Sequence, residues 1–175
     1  LKANGQFDFQ SDSVSAEVSV KVSDLGDLAS AASTPLRGEG ELCGRVSGTF
    51  QAPQADLSLD FQNIQAAEFG AEAVFTQLQL DPAPGSWDPE RAGWRITGTG
   101  MATGLRDLTG RTLPEESLMW SLDTEIAPGG EEIFLRTLRV KGAHHRLELL
   151  GQLNPTSLDG TMEADLHVED LRTLT

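Results

Sequence analysis

The stretch "VSAEVSVKV", Val14–Val22, decides how this chain folds. It puts Val14, Ala16, Val18, Val20 and Val22 on one face and Ser15, Glu17, Ser19 and Lys21 on the other. Strict alternation of this kind marks a β-strand with one dry face and one wet face. Working outward, "ADLSLDF" sets Ala55, Leu57, Leu59 and Phe61 against Asp56, Ser58 and Asp60, and "LCGRVSGTF" aligns Leu42, Val46 and Phe50 with Gly44 and Gly48 between them. "GWRITGTGM" gives Trp94 and Ile96, then Gly98 and Gly100 on the same face. "SLMWSLDTEI" groups Leu118, Trp120, Leu122 and Ile126, with Met119, Asp123 and Glu125 pointing away. "FLRTLRVKG" contributes Phe134, Leu138 and Val140; "RLELLGQL" contributes Leu147, Leu149 and Leu153; "TMEADLHV" contributes Met162, Ala164, Leu166 and Val168.

With the opening "GQFDF", the pattern predicts about nine strands, and dryness on one face only predicts antiparallel pairing. "QAAEFGAEAVFTQLQL" is ambiguous: its Ala-rich start suits a helix, while Val74, Leu78 and Leu80 suit a strand. Turns are expected at Pro53, "DPAPGSWDPE", "APGG" and "NPTSLDG". Helical signals are short: "DLGDLASAA", "GLRDLTGRTLPEE" and the terminal "DLRTL", with Asp24, Asp107 or Asp170 placed to cap a turn. The expectation is one all-β domain over residues 1–175. It is a curved, mostly antiparallel sheet, with a β-sandwich as the alternative.

The two ends of the chain share a unit. "GQFDFQSDSVSAEVSVKVSDLGDL", Gly5–Leu28, aligns without gaps on "GQLNPTSLDGTMEADLHVEDLRTL", Gly151–Leu174, at an offset of 146. Over residues 1–28 and 147–174 nine positions are identical (Leu1, Gly5, Gln6, Ser11, Glu17, Val22, Asp24, Leu25 and Leu28), where chance would give roughly two. The period is much longer than that of an ordinary solenoid. It predicts a multi-strand module cut from a longer repetitive protein, and the opening on Leu1 inside a patterned segment agrees with that expectation.

Composition narrows the function. A net charge of −14 argues against electrostatic binding to nucleic acid or an anionic membrane surface. The single cysteine, Cys43, rules out an internal disulfide framework; it is either an outward thiol or a small apolar filler. The sequence shows no signal-peptide pattern and no apolar run long enough for a membrane-spanning helix.

The residues point to no enzyme and no cofactor. His144 and His145 are adjacent and diverge if extended, and His167 sits on a polar strand face, so solvated histidines are expected rather than a metal site. No serine lies in a G-x-S-x-G context. "GTGMATG" lacks the Lys-Ser/Thr ending of a phosphate loop, and its glycines suit close packing or a bend. Glu115-Glu116 and Glu131-Glu132 lack calcium-loop spacing and are expected in solvated loops. The remaining signal is an apolar surface: Val18, Val20, Val22, Leu42, Val46, Phe50, Leu57, Leu59, Phe61, Trp94, Ile96, Leu118, Trp120, Leu122, Leu138, Val140, Leu149, Met162, Leu166 and Val168. These residues either fill a sealed sandwich core or line an open trough that takes lipid acyl chains or a client polypeptide. An exposed face of that extent is otherwise an aggregation hazard.

The phrases "LRGEGELCGRVSGTF…ADLSLDF", "LRTLRVKGAHHRLELLGQL" and "LDGTMEADLHVEDLRTL" resemble the TamB family, the inner-membrane subunit of the translocation and assembly module, and the wider AsmA-like group. The likeness lies in strand starts of G-x-apolar form, alternating strands, and a "DLxxL" step at Asp24–Leu28 and Asp170–Leu174. The resemblance implies a periplasmic stretch of a protein anchored in the inner membrane of a Gram-negative bacterium, folded as a U-shaped β-taco with a greasy concave face. It implies phospholipid transport, assistance to outer-membrane protein (autotransporter) assembly during protein secretion, and a TamA-like outer-membrane partner. It carries no catalytic residues. Gln65–Leu80 and "DPAPGSWDPE" depart from the smooth pattern and are expected as loops or caps. The alternative is a structural or adhesive β-sandwich repeat of a surface protein. Free strand edges also suggest an edge-mediated dimer.

Overall fold

The structure, a computed structural model, describes residues 2–8, 13–28, 36–49, 52–83, 93–109, 113, 115–157 and 159–169. Its strands are β1 (Lys2–Asp8), β2 (Ser13–Val22), β3 (Leu36–Thr49), β4 (Pro53–Ala66), β5 (Phe69–Pro82), β6 (Trp94–Thr103), β7 (Arg106–Asp107), β8 (Ser117–Ile126), β9 (Ile133–Lys141), β10 (His145–Leu153) and β11 (Gly160–Val168). They form a single antiparallel sheet in the order β1-β2-β3-β4-β5-β6-β8-β9-β10-β11, with the short β7 attached to β5. Chain order is sheet order, a meander. The first and last strands do not meet, so the sheet is open and curved rather than closed.

Several local expectations are revised. The ambiguous stretch Gln65–Leu80, expected as a loop or cap, instead ends β4, turns at Ala67–Glu68 and continues as β5, which pairs β4 from Phe69 to Leu80. Residues β-branched or large at Val74, Phe75, Thr76, Leu78 and Leu80 outweigh the helix preference of its alanines. "GLRDLTGRTLPEE" holds no helix among its described residues; Arg106 and Asp107 extend the sheet, and Asp107 Oδ1 accepts the Thr109 amide at 2.7 Å to close a turn. "DLGDL" gives a 3-10 turn over Leu25–Leu28 that lies against β3. There Asp24 Oδ1 accepts the Gly26 amide at 2.8 Å, and Leu25 is buried. The "DLxxL" step thus has a mechanical meaning at its first occurrence. Its second occurrence, Asp170–Leu174, lies outside the described residues, as do "DPAPGSWDPE" beyond Asp81–Ala83 and the trough residue Phe50.

A β-sandwich core is not what these strands make. The described residues form one layer, and no large side chain among them is fully buried. The molecule exposes 11743 Å², against about 8,300 Å² for a compact 18.8 kDa protein. The buried apolar residues among those described are only Leu25, Ala71, Ala83 and Ala102, too few to make a core.

The terminal repeat is structural as well as textual. The β1–β2 hairpin pairs Gly5 with Ala16 and Lys2 with Ser19; the β10–β11 hairpin pairs Gly151 with Met162 and Glu148 with Asp165. Adding 146 to each member of the first hairpin's pairs gives the second's register. The two copies of the hairpin stand at opposite edges of the sheet.

Candidate binding face

Directly paired residues on neighbouring strands share a face, so the register traces each row of side chains across the sheet. One row runs Val18, Gly44, Leu57, Leu78, Gly98, Leu122, Leu138, Leu149, Ala164. The next runs Val20, Leu42, Leu59, Thr76, Gly100, Trp120, Val140, Leu147, Leu166. A third runs Val22, Gly40, Phe61, Val74, Ala102, Leu118, and a fourth runs Ala16, Val46, Ala55, Leu80, Ile96, Thr124, Leu135, Gly151, Met162. Trp94, paired with Pro82 and Ile126, begins a fifth. The sequence-predicted trough residues that are described therefore lie on one face. They are half-buried for the most part, while Met162 and Leu166, on the edge strand, are 66% and 61% exposed.

Glycines are part of the design of this face. Trp120 lies over Gly100, Phe61 over Gly40, Leu57 over Gly44 and Leu78 over Gly98, each a cross-strand pair of large and small. The large side chain folds across its neighbour's bare backbone, which levels the surface and shields it from water. Polar interruptions are few. Thr124 is buried and donates its hydroxyl to the Phe134 carbonyl at 3.0 Å, so it leaves no unmet hydrogen bond facing the apolar rows.

Phe134 itself does not belong to this face, contrary to the alternation. Strand β9 carries one extra residue at Arg136, where the register jumps from Asp123–Thr137 to Thr124–Leu135. The bulge turns Leu135 onto the apolar face and Phe134, opposite Glu125, onto the polar one.

A hollow of about 360 Å³ sinks into the apolar face, lined by Val46, Pro53, Gln54, Ala55, Leu80, Trp94, Ile96 and Ile126. A larger one, about 890 Å³, lies on the opposite face. Its lining takes in two polar rows, Glu17–Arg45–Asp56–Gln79–Thr97 and Ser19–Cys43–Ser58–Gln77–Thr99, and between them the strand positions Val18, Gly44, Leu57, Leu78, Gly98 and Leu122. A twisted sheet is saddle-shaped, so each face is concave along a different diagonal. Cys43 is exposed there, an outward thiol. The polar face is laced with cross-strand ion pairs: Glu17–Arg45 at 2.8 Å, Arg95–Asp123 at 2.7 Å, Arg139–Glu148 at 2.9 Å and Lys21–Glu41 at 3.5 Å. The guanidinium of Arg95 holds the Asp123 carboxyl below its ordinary value, and that of Arg139 does the same for Glu148. Phe75, Met101 and Met119 form one apolar row on this face, with Met101 43% and Met119 55% exposed. Only Met119 was expected to point this way.

The expectation of solvated acids and histidines fails at one place. Glu115 is buried, and its carboxylate accepts the amide of Ala143 at 2.5 Å and that of His144 at 2.8 Å, with His145 Nδ1 at 2.7 Å. Burial opposes its ionisation, but the His144 amide, the His145 ring and the Ala143 amide together outweigh that and hold its pKa at about 2. It clasps the β9–β10 turn to the segment before β8. Among the described residues no group of three His, Cys, Asp or Glu is placed to hold a metal, and no helix is long and apolar enough to cross a membrane.

No family model, no curated protein and no solved structure matches this chain.

Proposed function

We propose that the apolar face binds phospholipid acyl chains, and that the chain is a non-enzymatic, lipid-handling module of a periplasmic, envelope-bridging protein of the TamB kind. The observation that carries this reading is the row from Val18 to Ala164, apolar or glycine at every one of its positions across β2 to β11, with no second sheet over it among the described residues. Burying a methylene on such a surface is worth about 0.8 kcal/mol. That attraction is indifferent to position along the row, so an acyl chain can slide as well as bind. Acidic loops and a charge of −14 keep the module soluble and repel anionic headgroups from adhering elsewhere. The resemblance to TamB in strand cadence supports the cellular setting, including a TamA-like partner.

Native mass spectrometry with solvent extraction of whatever co-purifies tests this. Phospholipid bound to the wild type and lost in Leu122→Glu and, separately, Leu57→Glu, with circular dichroism unchanged, supports the reading. A folded wild type that neither carries lipid nor takes it up from vesicles of phosphatidylethanolamine and phosphatidylglycerol overturns it.

A further inference from the structure

We propose that Arg106 and Glu72 form a two-pole seat for the headgroup of a zwitterionic aminophospholipid. The lipid phosphate sits on Arg106, its ammonium on Glu72, and an acyl chain lies down the apolar face along β5 and β6. This rests on the acyl-binding reading of that face, and adds which lipid it takes and which way round the lipid lies.

The apolar face ends in charge here. Strand β5 runs unbroken from Phe69 to Pro82, so alternation puts Gly70 and Glu72 on the side of Val74, Leu78 and Leu80. Arg106 is the direct partner of Gly70 and folds across it, with Nε 3.1 Å and Cγ 3.3 Å from where a Cβ on Gly70 would stand. Glu72 bends in the same way over Gly104. These are again pairs of a large side chain over bare backbone, now with a guanidinium and a carboxylate in place of leucine or tryptophan.

The fold uses neither charge. Arg45, Arg95, Arg136, Arg139 and Arg146 each hold a carboxylate. Arg106 is half-buried, yet among the described residues it has no ion-pair partner, and neither has Glu72. Arg37 also lacks one, but it is exposed. The vacancy at Arg106 is not for want of acids, which outnumber bases 27 to 13. A cation set against an apolar surface without a counter-ion is unfavourable. A guanidinium is matched to phosphate, which it grips through two parallel N–H bonds. The carboxylate of Glu72 on the same face favours an anion that carries its own cation close by, and disfavours a purely anionic headgroup.

The surface next to the charges selects an acyl chain. The backbone of β4, β5 and β6 is engaged in its own ladders there. A polypeptide laid on it would find no partners for its N–H and C=O groups, whereas a hydrocarbon chain needs none. From Gly70 to Thr76, the row that holds Gly100 and Trp120, six residues of strand span about 20 Å. One leaflet of a bilayer, headgroup included, is about 20–22 Å deep. A lipid held at Arg106 therefore brings its chain end to Trp120.

Competition tests this. The protein is incubated with equimolar phosphatidylethanolamine, phosphatidylglycerol and diacylglycerol of identical chains, and native mass spectrometry counts what it captures. Phosphatidylethanolamine should exceed each of the others several-fold. Arg106→Gln should bring its ratio to diacylglycerol close to one, while Arg106→Lys keeps part of the preference. Glu72→Gln should bring its ratio to phosphatidylglycerol close to one. Arg106→Glu combined with Glu72→Arg should recover a preference that Arg106→Glu alone loses. Orientation has its own readout. With Trp87→Phe and Trp94→Phe leaving Trp120 as the sole indole, phosphatidylethanolamine brominated near its chain ends should quench it more than the same lipid brominated beside the glycerol. Equal capture of the three lipids by the wild type, ratios that neither variant moves, or the reverse order of quenching would each overturn the headgroup seat and leave the acyl face standing. Capture of no lipid at all would overturn both.

Discussion

The indole of Trp120 lies across Gly100, its direct partner on the neighbouring strand, where a Cβ would overlap the ring. The pair shows how a sheet without a core still shelters large apolar side chains: a bare backbone on one strand becomes the bed for an aromatic on the next. Gly100→Ala should therefore destabilise the protein by about 1–3 kcal/mol through overpacking. Thermal or urea unfolding of Gly100→Ala, Trp120→Leu and the double variant checks this. The double variant should lose clearly less than the sum of the singles.

Acid should loosen the Glu115 clasp in a defined window. The carboxyl titrates at about 2 in the fold, against an ordinary value of 4.5. Its folded pKa is depressed, so its stabilising contribution is complete above about pH 4.5 and is lost as pH falls from there toward 2. Glu115→Gln should cost on the order of 2 kcal/mol at pH 7, the scale of hydrogen bonds to a charged group. It should also flatten the dependence of unfolding free energy on pH between 4.5 and 2. An unaltered pH profile in Glu115→Gln would contradict the assignment.

The ion pairs of the polar face should matter little and only at low salt. Arg95 grips Asp123 through both Nε, at 3.0 Å, and a terminal nitrogen, at 2.7 Å, yet both groups remain open to water. Asp123→Asn should lower the melting temperature slightly in dilute buffer. The difference should shrink toward nothing in molar salt, where the screening length is about 3 Å.

The two faces should respond differently to the same kind of change. Leu78→Ser on the apolar face should reduce lipid capture, while Met101→Ser and Met119→Ser on the opposite face should leave it unchanged, by co-purified phosphate per mole of protein. Equal losses from both faces would mean that lipid associates with the sheet unspecifically.

Much of this architecture was legible in the sequence because period-two alternation is a local signal. Val14–Val22, Ala55–Phe61 and Leu118–Ile126 each announce a strand and its dry side without reference to any other part of the chain. The open single layer was legible too, as the preferred fold, though the sandwich alternative fell only to the observed strand pairing. Features that depend on pairing were hidden. The extra residue at Arg136 shows itself only against β8 and β10, so Phe134 was assigned to the wrong face. Strand β5 was obscured by alanines at its start that favour a helix in isolation but here lie between β4 and β6. The Glu115 clasp joins residues 28 to 30 positions apart through backbone amides, which no side-chain motif reveals. Two adjacent acids and two adjacent histidines were the sole visible hint, and solvated loops were the ordinary reading of both.

The hairpins at the two edges have one more consequence. Eight strand steps take β1 to β10, and eight is even, so strand direction and the wet and dry faces are both restored when the hairpin recurs. The recurrence is a displacement without reversal, of about 38 Å at the ordinary strand spacing. Along the sheet it is a screw step rather than a bare shift: the twist of each strand against the next turns the second hairpin relative to the first while leaving its apolar side chains on the same face.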